Sequence, residues 1–245
     1  MEASNLLSVE NTASTNTFLT NLAGEKKLPE GFTVITGNQS AGRGQGQNHW
    51  ESEPGCNLTF STLFYPSFIK AVDQFLISKA IALGISDFAL NFTGEITIKW
   101  PNDIYAGSSK ISGTLIENIL EGNTIKQTVV GIGFNVNQTL FRSDAPNPVS
   151  LKQLTNTHYA LDEMLEKLQH CLFVRYEQLR ENDLPGIEET YHQRLYQRGI
   201  YALFRDVGGI FKGKIRKVLK TGSLEIERED GTSSFYGFKE VRFVK

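Results

Sequence analysis

Apolar side chains recur every three or four residues in two stretches of the chain. The first stretch runs from Ile69 through Leu83, and the second runs from Leu161 to Leu179. This spacing places the apolar positions on one face of a helix, which predicts two amphipathic helices packed on a sheet. A third, short helix is predicted near the start of the chain, where Ser14 or Thr15 is suited to cap the first turn.

Short runs of β-branched and aromatic residues, bounded by glycine or proline, predict strands between these helices. The predicted strands cover residues 32–36, 57–64, 96–98, 111–119 and 128–136. The connection from Asp103 to Lys110 is predicted to be a turn. The segment from Gln138 to Ser150 has no apolar period and contains Pro146, Asn147 and Pro148, so it is predicted to form a mobile loop.

The pattern changes after Gly199, where apolar and polar residues begin to alternate. Leu224–Glu227 alternates strictly, and Thr221-Gly222 and Asp230-Gly231 are hairpin signals. Such a pattern predicts a small β-barrel of about 45 residues. We therefore expect two domains, a large one over residues 1–195 and a small barrel over residues 196–245.

Composition limits the partners of the protein. The 245 residues include 25 basic and 27 acidic side chains, so the formal net charge is -2 and no global attraction to nucleic acid or anionic membrane is expected. Cys56 and Cys171 are too few for a disulfide framework, which fits a reducing cytoplasm. No stretch approaches the roughly 20 apolar residues of a membrane span.

A glycine-rich loop surrounds one arginine in the sequence Ser40 to Gly46. Gly42 and Gly44 flank Arg43, so backbone amides could approach an anion closely while the guanidinium adds a fork of donors. An ordinary flexible loop is an equal alternative, because the run matches neither a Walker A nor a dinucleotide motif. Trp50 follows a polar stretch and could either cover a ligand or anchor the core.

A second group of chemically active residues lies around the predicted turn. Lys99 and Asp103 lie at one end and Lys110 at the other, so two cations and a carboxylate could converge on a phosphate or a magnesium-phosphate complex. Taken alone, Pro-Asn-Asp at 101–103 reads as a turn and Lys110 as an exposed lysine. Trp100 follows an apolar strand, which favours a core position.

Two glycines at alternate positions end the last predicted strand of the large domain. Gly131 and Gly133 would open a slot on one face of the sheet, although a bulge or a tight strand crossing is the alternative. Asn135 follows, and its amide can match the donor and acceptor edge of adenine. Gly113, near Lys110, likewise leaves room for a slim ligand.

The order and spacing of these motifs resemble the biotin protein ligases over most of the chain. The matching segments are Ser14-Thr15-Asn16, Gln39, Gly42-Arg43-Gly44 with Trp50, Lys99-Trp100-Pro101-Asn102-Asp103, Lys110 with Gly113, and Gly131 to Asn135. The resemblance implies an α+β fold: a mixed β-sheet with packed helices, like the catalytic domain of class II aminoacyl-tRNA synthetases and biotin ligases. It also implies an SH3-like barrel at the C-terminus and an adenylate-covering segment at residues 138–150.

The same resemblance implies roles for individual residues. Arg43 and Lys110 would be catalytic, neutralising a carboxylate and an α-phosphate. The biotin site would comprise Ser14, Thr15, Gln39, Gly42, Arg43, Trp50, Lys110, Gly113, Gly131 and Gly133. The ATP site would comprise Arg43, Gly44, Lys99, Asn102, Asp103 and Asn135. Asp103 is the candidate ligand for magnesium.

The implied activity is an ATP-dependent ligase that forms biotinyl-5'-AMP and transfers biotin to a lysine of a biotin carboxyl carrier domain. ATP and biotin would be substrates, and Mg²⁺ would accompany the ATP. The absence of an N-terminal helix-turn-helix implies the monofunctional class without nucleic-acid binding, and a homodimer is left open. The alternatives are a lipoate protein ligase, a non-catalytic biotin sensor and a DNA-binding repressor.

One departure from the family pattern concerns the glycine-rich loop. Many members carry further arginines after the Gly-Arg-Gly triplet, whereas Gln45, Gln47 and Asn48 are neutral here. We therefore expect weaker retention of the charged intermediate unless cations from elsewhere compensate. Adenylate released in the absence of acceptor measures this retention.

Overall fold

A computed structural model of the chain describes residues 5–46, 48–143 and 147–244. The larger of two sheets contains seven strands in the order β1-β2-β3-β7-β6-β5-β4. These strands are β1 (Leu6–Thr12), β2 (Thr33–Gln39), β3 (Leu58–Phe64), β4 (Ile96–Lys99), β5 (Asp103–Ala106), β6 (Ser109–Glu121) and β7 (Thr124–Phe134). β1 pairs with β2 in parallel and the other neighbouring strands pair antiparallel, which confirms the predicted mixed sheet.

Five α-helices accompany this sheet in the described part of the chain. They are α1 (Thr15–Glu25), α2 (Phe75–Leu90), α3 (Leu151–Thr155), α4 (Leu161–Arg180) and α5 (Leu184–Gln193). Ser14 caps α1 by accepting a hydrogen bond from the Thr17 amide, as its position in the sequence predicted. Helix α4 spans the predicted leucine repeat and packs against α2. None of the described helices is long and apolar enough to cross a membrane.

The interior strand β3 separates two buried layers. Phe60 and Phe64 point into the large core that α2 and α4 cover, whereas Leu63 points into a smaller core beneath α1. Because side chains alternate along a strand, Thr59 and Ser61 share the α1 side with Leu63. This side of the sheet therefore carries polar groups next to the start of α1.

Two sequence predictions of local structure were wrong, and one strand was missed. The connection from Asp103 to Lys110 is mostly strand: β5 ends at Ala106, and β6 begins at Ser109 after a two-residue reversal. Strand β1 was not predicted. Helix α2 begins at Phe75 rather than Ile69, because residues 71–73 form a 3₁₀ turn in which Val72 is 70% exposed.

The segment 138–150 has no regular strand or helix where it is described, which confirms the predicted irregularity. Pro146, one of its three markers, lies outside the described residues. The segment ends at Ser150, whose side chain and Gln153 form a capping box at the start of α3.

The C-terminal residues form a second, five-stranded antiparallel sheet with the order β11-β10-β9-β8-β12. Its strands are β8 (Tyr201–Asp206), β9 (Gly209–Val218), β10 (Leu224–Arg228), β11 (Ser233–Tyr236) and β12 (Arg242–Phe243). Gly222 and Gly231 adopt positive φ at the two predicted hairpin turns. The sheet fits a small SH3-like domain, and the boundary between residues 195 and 196 stays a prediction.

A buried polar cluster joins this second sheet to the helices. Lys79 of α2 donates hydrogen bonds to both carboxylate oxygens of Glu188, at 2.7 and 2.8 Å, and to the carbonyl oxygen of Val218, at 2.8 Å. The Val218 amide donates to Nε2 of His192 at 2.9 Å. Nearby, the Trp100 indole donates to the Gly222 carbonyl, so Trp100 holds the core position predicted for it.

Candidate functional site

A cavity of about 160 Å³ lies on the α1 side of the large sheet, between the glycine-rich loop, the connection from β4 to β5 and the first half of β6. Twelve of the fifteen residues predicted for the site line it. They are Ser14, Thr15, Gln39, Arg43, Gly44, Trp50, Asn102, Asp103, Lys110, Gly113, Gly131 and Gly133. Residues far apart in sequence thus share one pocket, because adjacent strands bring their cavity-facing positions together.

The polar end of the cavity is built around the first residues of α1. The Thr15 amide donates to Oε1 of Gln39 at 2.9 Å, and Ser61 lies 2.7 Å from the Thr15 hydroxyl. Ser61 also lies 2.6 Å from Oδ1 of Asn16. These side chains hold one another in fixed orientations and present hydroxyl and amide groups to the cavity.

Gly113, Gly131 and Gly133 have no side chain, and other side chains of the protein pack against them. A Cβ on Gly133 would lie 2.1 Å from Cε2 of Trp50, and one on Gly113 would lie 3.1 Å from Cζ3 of the same indole. A Cβ on Gly131 would lie 2.1 Å from Oδ1 of Asn16. The space that the glycines leave is therefore occupied by the protein's own side chains, with the Trp50 ring against Gly133 and the Asn16 amide against Gly131. The slot for a ligand stays a prediction.

The glycine-rich loop folds back on itself. The Trp50 amide donates to the Gly42 carbonyl at 2.9 Å, and the Gly44 amide donates to the Asn48 carbonyl at 2.7 Å. A Cβ on Gly42 would lie 2.4 Å from the Trp50 carbonyl oxygen, so only glycine fits this crossing. Gly42 does not line the cavity itself; it brings Trp50 to the cavity wall.

Both cavity cations have a carboxylate partner. Arg43 Nη2 lies 2.9 Å from Oε2 of Glu117, and Lys110 Nζ lies 2.6 Å from Oδ1 of Asp103. The Arg43 pair is nearly half exposed, whereas the Lys110 pair is about four-fifths buried. A water-shielded pair interacts more strongly, so Asp103 fixes the position of Lys110 beside the cavity.

Besides Gly42, two predicted residues lie outside the cavity lining, and the first is Lys99. It points to the second sheet: its Nζ donates to the Tyr105 hydroxyl at 3.1 Å and lies 4.8 Å from the ring centre of Phe243. Burial, with a smaller contribution from Asp103, raises the pKa of the Tyr105 hydroxyl, which stays protonated. The geometry therefore gives Lys99 a cation–π contact with the second sheet.

Asn135 is the other residue outside the cavity lining. It is 2% exposed, and its Nδ2 donates to the Val149 carbonyl at 3.1 Å. Its Oδ1 is buried and accepts no hydrogen bond within residues 5–46, 48–143 and 147–244. A buried acceptor without a donor is energetically costly, which makes this oxygen a candidate ligand-binding atom.

The irregular segment 138–150 is tied to the cavity wall through Glu51, the neighbour of Trp50. The amides of Arg142 and Ser143 donate to the Glu51 carboxylate at 2.9 and 2.7 Å. Burial alone would raise the pKa of Glu51, but these hydrogen bonds outweigh it and lower the pKa. The carboxylate is therefore ionised near neutral pH and holds the segment beside Trp50.

Sequence reasoning did not assign roles to Asn16 and Glu117. The Nδ2 of Asn16 donates to the same Glu117 oxygen that Arg43 contacts, at 2.8 Å, so one carboxylate orders both residues. Glu117 and Leu115 follow Gly113 at alternate positions of β6, which places all three on one face of the strand. The sequence signal for Glu117 as the partner of Arg43 was a charged residue on the same strand face as Gly113.

Comparison with known proteins gives a consistent result. Residues 8–135 match the profile of the Biotin/lipoate A/B protein ligase family. The Bifunctional ligase/repressor BirA of Bacillus subtilis is 30% identical over 220 residues, which cover 85% of this chain and 65% of BirA. The chain thus spans less than two thirds of the length of that relative.

Solved structures share the fold over nearly the whole chain. Biotin protein ligase from Aquifex aeolicus in complex with biotin and ATP superposes with a TM-score of 0.79 at 23% identity, covering 99% of this chain and 100% of that one. Biotin protein ligase from Leishmania major in complex with biotinyl-5-AMP gives 0.63 at 21% identity, covering 96% and 99%. These likenesses show a common architecture that includes the C-terminal sheet.

Proposed function

The chain belongs to the biotin/lipoate A/B protein ligase family, and we propose that it is an ATP-dependent ligase that activates biotin and attaches it to a lysine of a carrier domain. One observation carries the proposal: Arg43 and Lys110 line a single cavity together with Gly113, Gly133 and the hydrogen-bonding residues at the start of α1. The similar Aquifex protein has been solved with biotin and ATP.

The proposed reaction has two steps. A carboxylate oxygen of biotin attacks the α-phosphorus of ATP, and pyrophosphate leaves with the electrons of the broken P–O bond. The ε-amine of a carrier lysine then attacks the carbonyl of the mixed anhydride, AMP leaves, and the amine loses a proton as the amide forms. The protein has to bring two anions together in the first step.

Arg43 and Lys110 would reduce the electrostatic repulsion between the two anions in this step. Two unit charges ~4 Å apart repel by about 4 kcal/mol at an effective dielectric constant of 20. Arg43 and Lys110 are paired with Glu117 and Asp103, so substrate anions would share or replace these carboxylates. We propose that Lys110 acts as an electrostatic clamp and that the carrier supplies the nucleophile.

The remaining predicted roles belong to the same proposal. Ser14, Thr15 and Gln39 would bind the polar ring of biotin, because they form the hydrogen-bonding end of the cavity. Asn135 would bind the adenine amino group through its unpartnered Oδ1. Lys99 is not supported as a phosphate ligand by its aromatic contacts.

Magnesium fits the site as part of the ATP complex. No group of three or more His, Cys, Asp or Glu side chains in the described residues could enclose a metal ion. Magnesium commonly needs only one or two carboxylates, since phosphates and water supply its other ligands. Asp103, with Asn102 beside it at the cavity, fits that requirement, and the ion would reduce the charge of the phosphates.

The experiment that tests the function is ATP–pyrophosphate exchange, run separately with biotin, lipoate and no acid. We expect exchange that depends on biotin and magnesium. Exchange with lipoate alone would replace the proposal with lipoate ligation, and biotin binding without exchange would replace it with a sensor. Labelled biotin and an isolated carrier domain then test the transfer step. A cytoplasmic location stays a prediction from the sequence, and the oligomeric state stays open.

A further inference from the structure

Glu117 and Ser61 belong to a chain of hydrogen bonds that runs behind the wall of the cavity. Glu117 lies on β6 and Ser61 on β3, and neither side chain is among the described residues that line the cavity. Asn16 of α1 contacts both of them and does line the cavity. The chain therefore connects the Arg43 end of the site to the start of α1.

The partners of Asn16 fix the orientation of its amide. Its Nδ2 donates to Oε2 of Glu117 at 2.8 Å and to the Leu115 carbonyl at 3.2 Å. Arg43 donates to the same Glu117 oxygen at 2.9 Å, so this oxygen acts only as an acceptor. The other end of the Asn16 amide, Oδ1, faces the Ser61 hydroxyl at 2.6 Å.

The direction of these hydrogen bonds continues to Thr15. A serine hydroxyl has one hydrogen and Oδ1 of Asn16 has none, so Ser61 donates its hydrogen to Asn16. The hydrogen in the 2.7 Å contact between the Ser61 and Thr15 hydroxyls therefore comes from Thr15. This contact is shorter than the 3.4 Å between the Thr15 hydroxyl and Oε1 of Gln39. Thr15 lines the cavity, and its hydroxyl oxygen is left with lone pairs to offer a ligand.

Gln39 supplies the opposite kind of group. Its Oε1 accepts the Thr15 amide at 2.9 Å, so the other end of the Gln39 amide is Nε2, a donor. Thr15 and Gln39 both line the cavity. A ligand that matches this pair offers an N–H to Thr15 and an acceptor to Gln39. A cyclic urea has both groups, whereas a dithiolane ring has neither.

We infer that Glu117 is a specificity-determining positioning residue: acting through Asn16 and Ser61, it fixes the Thr15 hydroxyl as an acceptor and so selects an acid whose ring carries an N–H. A carboxylate suits this role because both of its oxygens accept, so Asn16 always meets an acceptor. The inference deepens the proposed function and rests on it, because biotin is the acid whose ring is recognised.

The test compares biotin with its two isosteric carbamates, in each of which an oxygen replaces one ring N–H. A carbamate places an acceptor against the Thr15 oxygen, so at least one of the two is expected to bind about 5- to 150-fold more weakly than biotin. Calorimetric titration with each acid, in the absence of ATP, measures the affinities. Their ratio is the discrimination of the protein for the ring N–H.

Two variants break the chain at different points. Ser61→Ala removes the link between Asn16 and Thr15, and Glu117→Leu removes the acceptor that orients Asn16. Each change removes one hydrogen bond of the chain, so we expect the discrimination ratio to fall by about 2- to 12-fold. Glu117→Gln keeps an oxygen that can accept from Asn16, and most of the ratio is expected to remain.

The matched control is Glu121→Leu on the same strand. Glu121 pairs with Lys126 at 2.8 Å, and both side chains are more than half exposed. We expect this variant to keep both the affinity for biotin and the discrimination ratio. Each ratio compares ligands within one protein, so a general loss of folded protein in a variant does not alter it.

Equal affinities of the unchanged protein for biotin and both carbamates would overturn the inference, as would an unaltered ratio in either Ser61→Ala or Glu117→Leu. Failure of the protein to bind any of the three acids would overturn it as well. The titrations contain no ATP, so loss of discrimination is distinguishable from failure of the proposed function. That failure would be a protein that discriminates biotin from its carbamates but shows no biotin-dependent pyrophosphate exchange.

Discussion

Two lysine–carboxylate pairs in this protein have similar lengths and different surroundings. Lys110 Nζ lies 2.6 Å from Asp103 at the cavity, and Lys79 Nζ lies 2.7 Å from Glu188 at the junction with the second sheet. An ammonium group has three donors. Lys79 directs its donors to three protein oxygens, including the Val218 carbonyl, whereas the recorded acceptor of Lys110 is Asp103.

This difference separates a structural pair from one to which the proposed function assigns ligand binding. The Lys79 side chain has no exposed surface, so its donors are used up by the fold. Lys110 keeps about a fifth of its side chain exposed beside the cavity, with the Trp50 ring 5.6 Å away. The same chemical pair is therefore fully enclosed at the junction and leaves a partly exposed cation at the cavity.

The largest expected effect is on stability, at the buried pair. Lys79→Met leaves Glu188 and the Val218 carbonyl without their buried donor, so we expect a loss of about 3–5 kcal/mol in the free energy of unfolding. Urea unfolding followed by circular dichroism measures it. The matched control is Lys126→Met, which breaks an exposed pair with Glu121 and is expected to leave the unfolding midpoint unchanged.

The double variant Lys79→Met/Glu188→Gln sharpens this test. It removes both charges, so part of the lost stability is expected to return. A single variant as stable as the unchanged protein would contradict the structural role of the Lys79 pair.

At the cavity the expected effect is on rate. Lys110→Gln removes the cation that faces the reacting anions, so biotinyl-adenylate formation should fall by at least about 10²–10³-fold. Single-turnover synthesis with labelled ATP measures the rate, and the unfolding midpoint should change far less than in Lys79→Met. Near-normal adenylate synthesis would rule out Lys110 as the clamp and remove the contrast between the two lysines.

The smallest expected effect is a pH dependence of the free energy of unfolding. It arises at the junction between the helices and the second sheet. Burial, followed by the charge of Lys79, lowers the pKa of His192 below its ordinary value. The ring accepts the Val218 amide at Nε2, which only its neutral form can do. In the unfolded chain His192 binds its proton near a pH of about 6.5. The stabilisation is therefore complete above about pH 6.5 and declines as the pH falls through the lowered pKa of the folded state.

The slope of this decline cannot exceed about 1.4 kcal/mol per pH unit, the value for one proton. Unfolding free energies of the unchanged protein and of His192→Gln, measured from about pH 5 to about pH 8, give the difference attributable to His192. A glutamine side chain does not titrate, so the curve of the variant should lack this component. If the unfolding free energies of the two proteins changed in parallel with pH, protonation of His192 would not affect the stability of the junction.

The sequence alone determined the elements whose residues satisfy a local rule. Helix α4 follows its leucine spacing, α1 begins after its Ser14 cap, and the hairpin turns fall at Gly222 and Gly231. These features depend on neighbours a few residues away. The motif residues also indicated one shared site, because strand ends and connections gather at one edge of a sheet.

Tertiary structure decided which groups meet. Glu117 pairs with Arg43 across 74 positions of sequence, and Lys99 turns to Tyr105 and Phe243 instead of entering the cavity. Lys239 reaches Gly46 only because the C-terminal sheet packs beside the glycine-rich loop. Periodicity specifies the face on which a side chain lies, but the partner on that face depends on how separate elements pack, and no local pattern encodes that distance.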